Sequence, residues 1–287
     1  MIEVLGIDIG ATKTAWALVD EKGRLVESGH YATPTSRTLF LKTLTGLVKT
    51  HPTPAIGIAM ASTISADHKD IVVSPNLPEL SHLQLVAELE KAGGRHIALD
   101  NDARCALIGE VWLGSARRLD NVVMLTIGTG VGGAVMERGR VLPHPLDINE
   151  EIGRIVVDPT DVFPTSSGRG TVEALVGGHN LEDRLQISLR EEAEKVRAGD
   201  PDSVAVWQNI AHFFIQVVRV VHDHYQPRTI IIGGIGGKDL EFYLQAKPPC
   251  RVISGKLGPA AGIMGAARIA LDLLDIKASE ADIEEEA

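Results

Sequence analysis

The chain is predicted to form two α/β domains that share one internal plan, and three observations carry this. β-rich runs alternate with helical patterns through most of the 287 residues, as expected of helices layered on sheets. The segment IDIGATKTAWALVDEKGRLV returns in outline about 118 residues later as LTIGTGVGGAVMERGRVL. Each copy has an apolar strand, a Gly/Thr turn, a second strand, a charged turn with Gly and a third strand, and such a repeated unit reads as duplication. The length itself suits two domains, at roughly 150 residues each.

In the first half, strands are predicted at Ile2 to Ile9, Ala15 to Val19 and Leu25 to His30, the last two joined through Asp20-Glu21-Lys22-Gly23. Ser36 opens a helix to Thr50 with Leu39, Leu44, Leu47 and Val48 on one face. Short strands follow at Ala55 to Met60 and Ile71 to Val73, then the loop SPNLPEL. A helix is expected from Ser81 to Gly93-Gly94, a strand at His96 to Leu99, and a helix from Asp102 to Leu113. The second half restarts with strands at Val122 to Ile127 and Ala134 to Met136, the turn Glu137 to Arg140 and a further strand. An irregular stretch of about 30 residues, Leu142 to Gly170, is long enough to suggest a functional loop. Helices are expected at Thr171 to Leu175, Asn180 to Ala198 and Asp202 to Tyr225, then a buried strand at Thr229 to Ile232 leading into GGIGGKD. The Ala- and Gly-rich helix from Pro259 to Leu274 invites close approach of a backbone or a ligand. Expected boundaries are 1–117 for the first domain, joined by helix 259–275, and 118–258 for the second. The acidic tail 277–287 is expected to be frayed.

Composition narrows the function. The values of 44% hydrophobic and 23% charged are those of a globular chain. A net charge of −10 argues against nucleic-acid and anionic-membrane binding, both of which need clustered Lys and Arg. Two cysteines, Cys105 and Cys250, make neither a disulfide framework nor a CxxC metal pair. The opening MIEVLGIDIG has no basic region or cleavage site, and no apolar run reaches the length of a membrane span, so a cytoplasmic protein is expected.

Three Gly-rich turns, each directly after a buried strand, offer backbone amides to phosphate: Gly10 to Thr14, Gly128 to Gly133 and Gly233 to Gly237. GTGVGG fits G-x-G-x-x-G, but the Glu-Arg-Gly-Arg turn follows too soon for the helix a dinucleotide site requires. No Walker A, G-x-S-x-G or H-E-x-x-H pattern occurs. His222-Asp223-His224 is either a metal pair or, more simply, cations suited to a helix C-terminus. Asp8 faces the first turn, either as a Mg²⁺ or water partner or merely bonding turn amides. In Asp100-Asn101-Asp102 an Asp is an N-cap, or else a general base kept ionised by the helix N-terminus, with Asn101 holding a substrate hydroxyl.

DIGATKT, NDARCALIGE, LTIGTGVGG, IIIGG and GPAAGIMGAA stand in the order of the landmarks of the ROK sugar-kinase family, which the chain resembles over nearly its whole length. The resemblance implies two RNase-H-like domains of the actin/hexokinase type, with ATP and sugar bound in the cleft between them. It makes Asp102 the base and Asn101 a hydroxyl ligand. Gly10, Thr12 and Lys13 would lie along the phosphates, with Asp8 near Mg²⁺. Thr129 and Gly130 would hold phosphate from the second domain, and Gly233 and Gly234 would sit by the adenosine. Asn76, Glu151, Arg154 and Glu173 would line the sugar. The sequence departs from the family where Glu150-Glu151-Ile152-Gly153-Arg154 carries Arg in place of the usual His. It departs again at SSGRGTVEA, where Ser167 and Thr171 stand near the expected zinc thiols, so no structural zinc is expected. Ala61-Ser62-Thr63 also lacks the usual Gly-Pro. The expectation is an ATP- and Mg²⁺-dependent hexose kinase. N-acylhexosamine and acidic-sugar kinases, and a non-catalytic sensor, are the alternatives. A DNA-reading helix-turn-helix is not expected ahead of a first strand that begins at Ile2, and a homodimer is left open.

Overall fold

The computed structural model describes residues 2–93, 96–165 and 167–285. In chain order the elements are β1 (Glu3–Ile9), β2 (Lys13–Asp20), β3 (Leu25–Ala32), α1 (Arg37–Thr50), β4 (Ala55–Met60), β5 (Thr63–Ile64), β6 (Ile71–Val73), α2 (Leu85–Gly93), β7 (His96–Asn101) and α3 (Asp102–Leu113). Then come β8 (Val122–Ile127), β9 (Val131–Glu137), β10 (Arg140–Val141), α4 (Val172–Val176), α5 (Gly178–Leu185), α6 (Leu189–Arg197), α7 (Pro201–Tyr225), β11 (Thr229–Gly233), α8 (Gly234–Lys238), α9 (Leu240–Tyr243), β12 (Arg251–Ser254) and α10 (Ala261–Glu285). They form two compact units, Met1–Gly114 with Pro259–Ala287, and Ser115–Gly258.

Each unit is built on a five-stranded sheet of matching order, β3-β2-β1-β4-β7 in the first and β10-β9-β8-β11-β12 in the second. In both, a meander of antiparallel strands is extended by two parallel strands. The repeated sequence plan is therefore a repeated sheet. In the first unit, alternation along β1 sends Leu5, Ile7 and Ile9 into a core with Phe40, Leu44 and Leu99. The opposite face takes α10 at very short range. A Cβ on Gly57 of β4 would collide with the Ala266 carbonyl, and one on Gly265 with that of Cys105. The small residues of α10 thus admit backbone, not ligand, at these positions. In the second unit, Val123, Leu125, Ile230 and Ile232 pack against Trp207, Phe214 and Val218 of α7.

Several boundaries differ from the sequence expectation for identifiable reasons. Leu39 is 52% exposed and Phe40 takes its place in the buried face of α1. The second helix begins at Leu85 because Ser81 Oγ accepts the Ser74 N–H at 3.0 Å and Leu83 bridges to Ile71. The helix expected from Asn180 to Ala198 breaks at Gln186, which is left-handed, and restarts on the Ser188 cap. Strand β9 starts at Val131, three residues ahead of the expected Ala134, and GGIGGKD winds into α8. The backbone of the acidic segment is helical to Glu285, since nothing between Ala266 and that point breaks a helix. Helix α7 is long and apolar enough to cross a membrane by length and composition, against the sequence expectation. Its apolar face is core: Trp207, Ile210, Phe214, Val217, Val218 and Val221 are all buried.

Candidate active site

In the first unit, β1, β4 and β7 run parallel in register, so Ile9, Met60 and Asn101 end side by side. The carboxyl ends of parallel strands are where α/β sheets present their chemistry. Asp8 lies on the α10 face of β1, and its carboxylate lies so close to Gly262 that a Cβ there would overlap it. Burial first, and then the like charge of Asp102, push the Asp8 carboxyl up to about 7, with Lys13 opposing. The strand ends therefore hold two neighbouring carboxylates.

The β1–β2 turn is tight, with the Gly10 N–H donating to the Lys13 carbonyl at 3.0 Å. Thr33, at the end of β3, pins it. Its hydroxyl donates to the Gly10 carbonyl at 2.8 Å, its N–H donates to the Thr12 carbonyl at 3.0 Å, and its Oγ lies 2.9 Å from Thr14 Oγ. Thr12 and Lys13 are left exposed at the tip.

The cap of α3 is Asn101 rather than an aspartate. Its Oδ1 accepts the Arg104 N–H at 3.1 Å, and its Nδ2 donates to the Ser62 carbonyl at 3.2 Å. Asp100 is buried and turned the other way, accepting the Asn101 N–H at 2.8 Å and pairing with Arg104. Asp102 is thus the first helical residue, with Oδ1 accepting the Ala103 N–H at 2.8 Å. Burial raises its carboxyl above the ordinary range, against the amides of Ala103 and Asp102 and the Asn101 side chain. The helix N-terminus does not lower its pKa here, because desolvation outweighs the amides. Beneath the pair, burial and both carboxylates push the Cys105 thiol well up. Ser62 also donates to Ser74 Oγ at 2.9 Å, which ties the Asn101 cap to the loop carrying the exposed Asn76.

In the second unit, the Gly128–Gly130 turn closes with the Gly128 N–H on the Gly130 carbonyl at 2.9 Å. The first residues of α5 support it, Gly178 and His179 donating to the carbonyls of Gly128 and Thr129 at 2.9 and 3.0 Å. Glu173 is drawn against the turn: its Oε2 accepts the Val131 N–H at 2.9 Å, and only a glycine at 130 leaves room for it. The 3₁₀ turn Ile152–Arg154, which follows Glu151, packs Gly153 under the Val131 carbonyl. Glu151 Oε1 lies 3.9 Å from His144 Nε2. Parallel pairing of β8 with β11 brings Gly233 and Gly234 alongside, through a bridge from Ile127 to Gly234.

The residues fit one metal and not another. Asp8, a desolvated oxygen donor beside a second carboxylate, suits a hard cation such as Mg²⁺. Zinc is not suited: Thr171 donates to Ser167 at 3.3 Å, and Ser167 lies 3.0 Å from Thr165 Oγ, hydroxyls where thiolates would be needed. Among the described residues no three of His, Cys, Asp and Glu cluster as ligands, and His222 and His224 lie in the last turn of α7. Nothing local in the sequence points to Thr33 or His179, whose importance depends on what they touch, and Ser62 stands out there only as part of the departure from Gly-Pro.

The chain matches the ROK family over residues 4–273. The glucokinase of Thermotoga maritima is 27% identical over 310 residues, spanning 93% of this chain and 97% of the relative. An N-acetylmannosamine kinase of Citrobacter koseri is 31% identical over 245 residues, spanning 82% and 84%. Among solved structures, a ROK family glucokinase from Streptomyces griseus, in complex with glucose and AMPPNP, superposes with a TM-score of 0.79 at 24% identity, covering 94% of this chain and 99% of that one. The fold is that of the ROK sugar kinases, of the actin/hexokinase type. A match of this extent, on a chain with paired strand-end carboxylates and two Gly/Thr turns, settles its membership: the chain belongs to the ROK family and is a carbohydrate kinase.

Proposed function

We propose that this chain transfers the γ-phosphoryl group of ATP to a hydroxyl of a neutral hexose, with Asp102 as general base. The observation that carries the reading is the pair Asp8, near the end of β1, and Asp102, where β7 turns into α3: both carboxyls are raised, that of Asp8 partly by the charge of Asp102. A raised carboxylate is the better proton acceptor, and a hydroxyl surrenders its proton to it as the bond to phosphorus forms. Asn101, fixed by its cap, retains amide capacity for an adjacent hydroxyl. Asn76, Glu151 and Glu173 would complete the sugar site.

The turn Gly10 to Lys13 would lie along the phosphates, and Thr129 with Gly130 would hold phosphate as well. Gly233 and Gly234 would sit near the adenosine. Mg²⁺ held near Asp8 would neutralise charge on the β- and γ-phosphates. Glucose is the first choice of sugar, in line with a glucokinase relative that aligns over 93% of the chain, and an N-acylhexosamine is the next, since N-acetylmannosamine kinases align over the same share. A second reading, a sugar bearing an acidic group, rests on Arg154, whose guanidinium can pair with a carboxylate through two hydrogen bonds.

The test is ADP release with Mg-ATP across hexoses, N-acylhexosamines and sugar acids, with Asp102→Asn in parallel. Turnover on a neutral hexose should fall by about 10²-fold or more in the variant without loss of thermal stability. Preference for sugar acids would move the reading to Arg154. Sugar-induced stabilisation with no turnover on any of them would instead make the chain a sensor.

A further inference from the structure

The segment from Leu142 to Thr171 carries Glu151 and Arg154 and delivers Glu173 to the second phosphate turn, so its conformation shapes the sugar side of the site. With zinc unsuited to the residues present, something else must hold it. A short backbone ladder does part of this: Val157 and Asp158 both donate to the Gly170 carbonyl at 2.8 and 3.0 Å, and Val172 donates to that of Ile155 at 2.9 Å. The rest converges on one side chain. Asp161 Oδ1 accepts the Phe163 N–H at 3.2 Å, while Oδ2 accepts the Gly170 N–H at 3.2 Å and Arg184 Nη2 at 2.6 Å. Arg184 belongs to α5, the helix whose first residues support Gly128 and Thr129. Its guanidinium lies over Phe163 of the segment, 4.8 Å from the ring centroid, and near Phe213 of α7 at 5.3 Å. The Asp161 and Arg184 side chains are only 8% and 13% exposed, and Arg184 Nε is buried without a hydrogen-bond partner. A buried cation left partly unsatisfied is costly, and stacking between two rings recovers some of that cost.

We infer that the Asp161–Arg184 pair, clasped between Phe163 and Phe213, is a metal-free clamp that holds the 155–171 segment on α5 and thereby positions Glu173 for the sugar. Asp161 and Arg184 are positioning residues, acting through Glu173 and the turn it touches. The segment-holding part stands on the geometry alone, and the sugar part rests on the kinase reading.

Amide hydrogen exchange of the purified full-length chain tests the first part, comparing wild type with Arg184→Met, Arg184→Lys and Asp161→Asn. Breaking a buried pair should speed exchange at Val157, Asp158, Gly170 and Val172 by about 100-fold or more in Arg184→Met, while Val123, Leu125 and Ile231 in the sheet hold their protection. Lys keeps the charge but loses the planar fork, so that variant should fall between. Unchanged loop amides, or an equal rise across the whole unit, would overturn the clamp. So would stoichiometric zinc in the wild-type chain whose chelation loosens the same four amides.

Kinetics test the second part. The sugar KM should rise about 10-fold in Arg184→Met with kcat within about threefold, the signature of lost binding rather than lost chemistry. A loosened segment with an unmoved sugar KM would overturn the positioning of Glu173. Absence of turnover in wild type would refute the kinase reading instead, and the exchange result would still decide the clamp.

Discussion

Replacing Asp8 with asparagine should stabilise the first unit, and by an amount that grows with pH. The folded chain holds the Asp8 proton to about pH 7, against an ordinary 3.8. Between those values the folded state binds more protons than the unfolded one, so stability falls as pH rises through the window. Above it, the charged side chain is a fixed cost. A displacement of about three units corresponds to roughly 4 kcal/mol. Asp8 keeps some accessible surface, where water screens the charge, so about 2 kcal/mol is the expected measured gain for Asp8→Asn near pH 8. For a unit of this size that is a rise of roughly 4–8 °C in Tm. The assay is calorimetry of both proteins from pH 4 to pH 8.5 without nucleotide or Mg²⁺. The gain should be small near pH 4, climb to pH 7 and level off beyond it. Adding Asp102→Asn should lower the midpoint of that climb, because Asp102 is the second cause of the raised value. A gain that does not vary with pH, or a variant less stable than wild type at pH 8, would refute the argument.

Further outcomes follow from particular contacts. Thr33→Val removes the hydroxyl that holds the Gly10 carbonyl and leaves that carbonyl and Thr14 without it. The loss should raise the ATP KM about 10-fold and cost about 1–3 kcal/mol of stability, read by steady-state kinetics and by denaturant titration. Gly57→Ala places a methyl against the Ala266 carbonyl, where strand and α10 backbones meet. It should destabilise the first unit by about 2 kcal/mol or more, visible as a fall in the Tm of that unit while the second is unmoved.

Element type was legible wherever a short-range pattern is decisive. Apolar runs closed by a Gly turn gave β1, β8 and β11, the short run after Pro54 gave β4, and the repeated turn chemistry gave two units of one plan, which the matching strand orders bear out. Boundaries went astray where a distant group took part: Ser81 is held by Ser74, and Leu83 by Ile71, so α2 starts late. The same holds for the cap of α3. The sequence points to an aspartate at 100 or 102 as the cap, and only the turn of β7 into α3 gives the cap to Asn101, pairs Asp100 with Arg104 and leaves Asp102 half-buried.

The order of residues along the chain determined the two-unit α/β plan, the Gly/Thr turns after buried strands and the placement of carboxylates at strand ends. Those depend on periods of two and 3.6 residues and on the backbone freedom of glycine, all local properties. Tertiary structure alone decided that Asp8 sits against Gly262 and repels Asp102, that Thr33 locks the Gly10 turn, that Glu173 reaches the Val131 amide, and that Asp161 meets Arg184 between two rings. Each is a distance between residues far apart in the chain. Spacing along a sequence carries no such distance, and the strength of a charge, an acid or a hydrogen bond depends on that distance and on the water that folding removes.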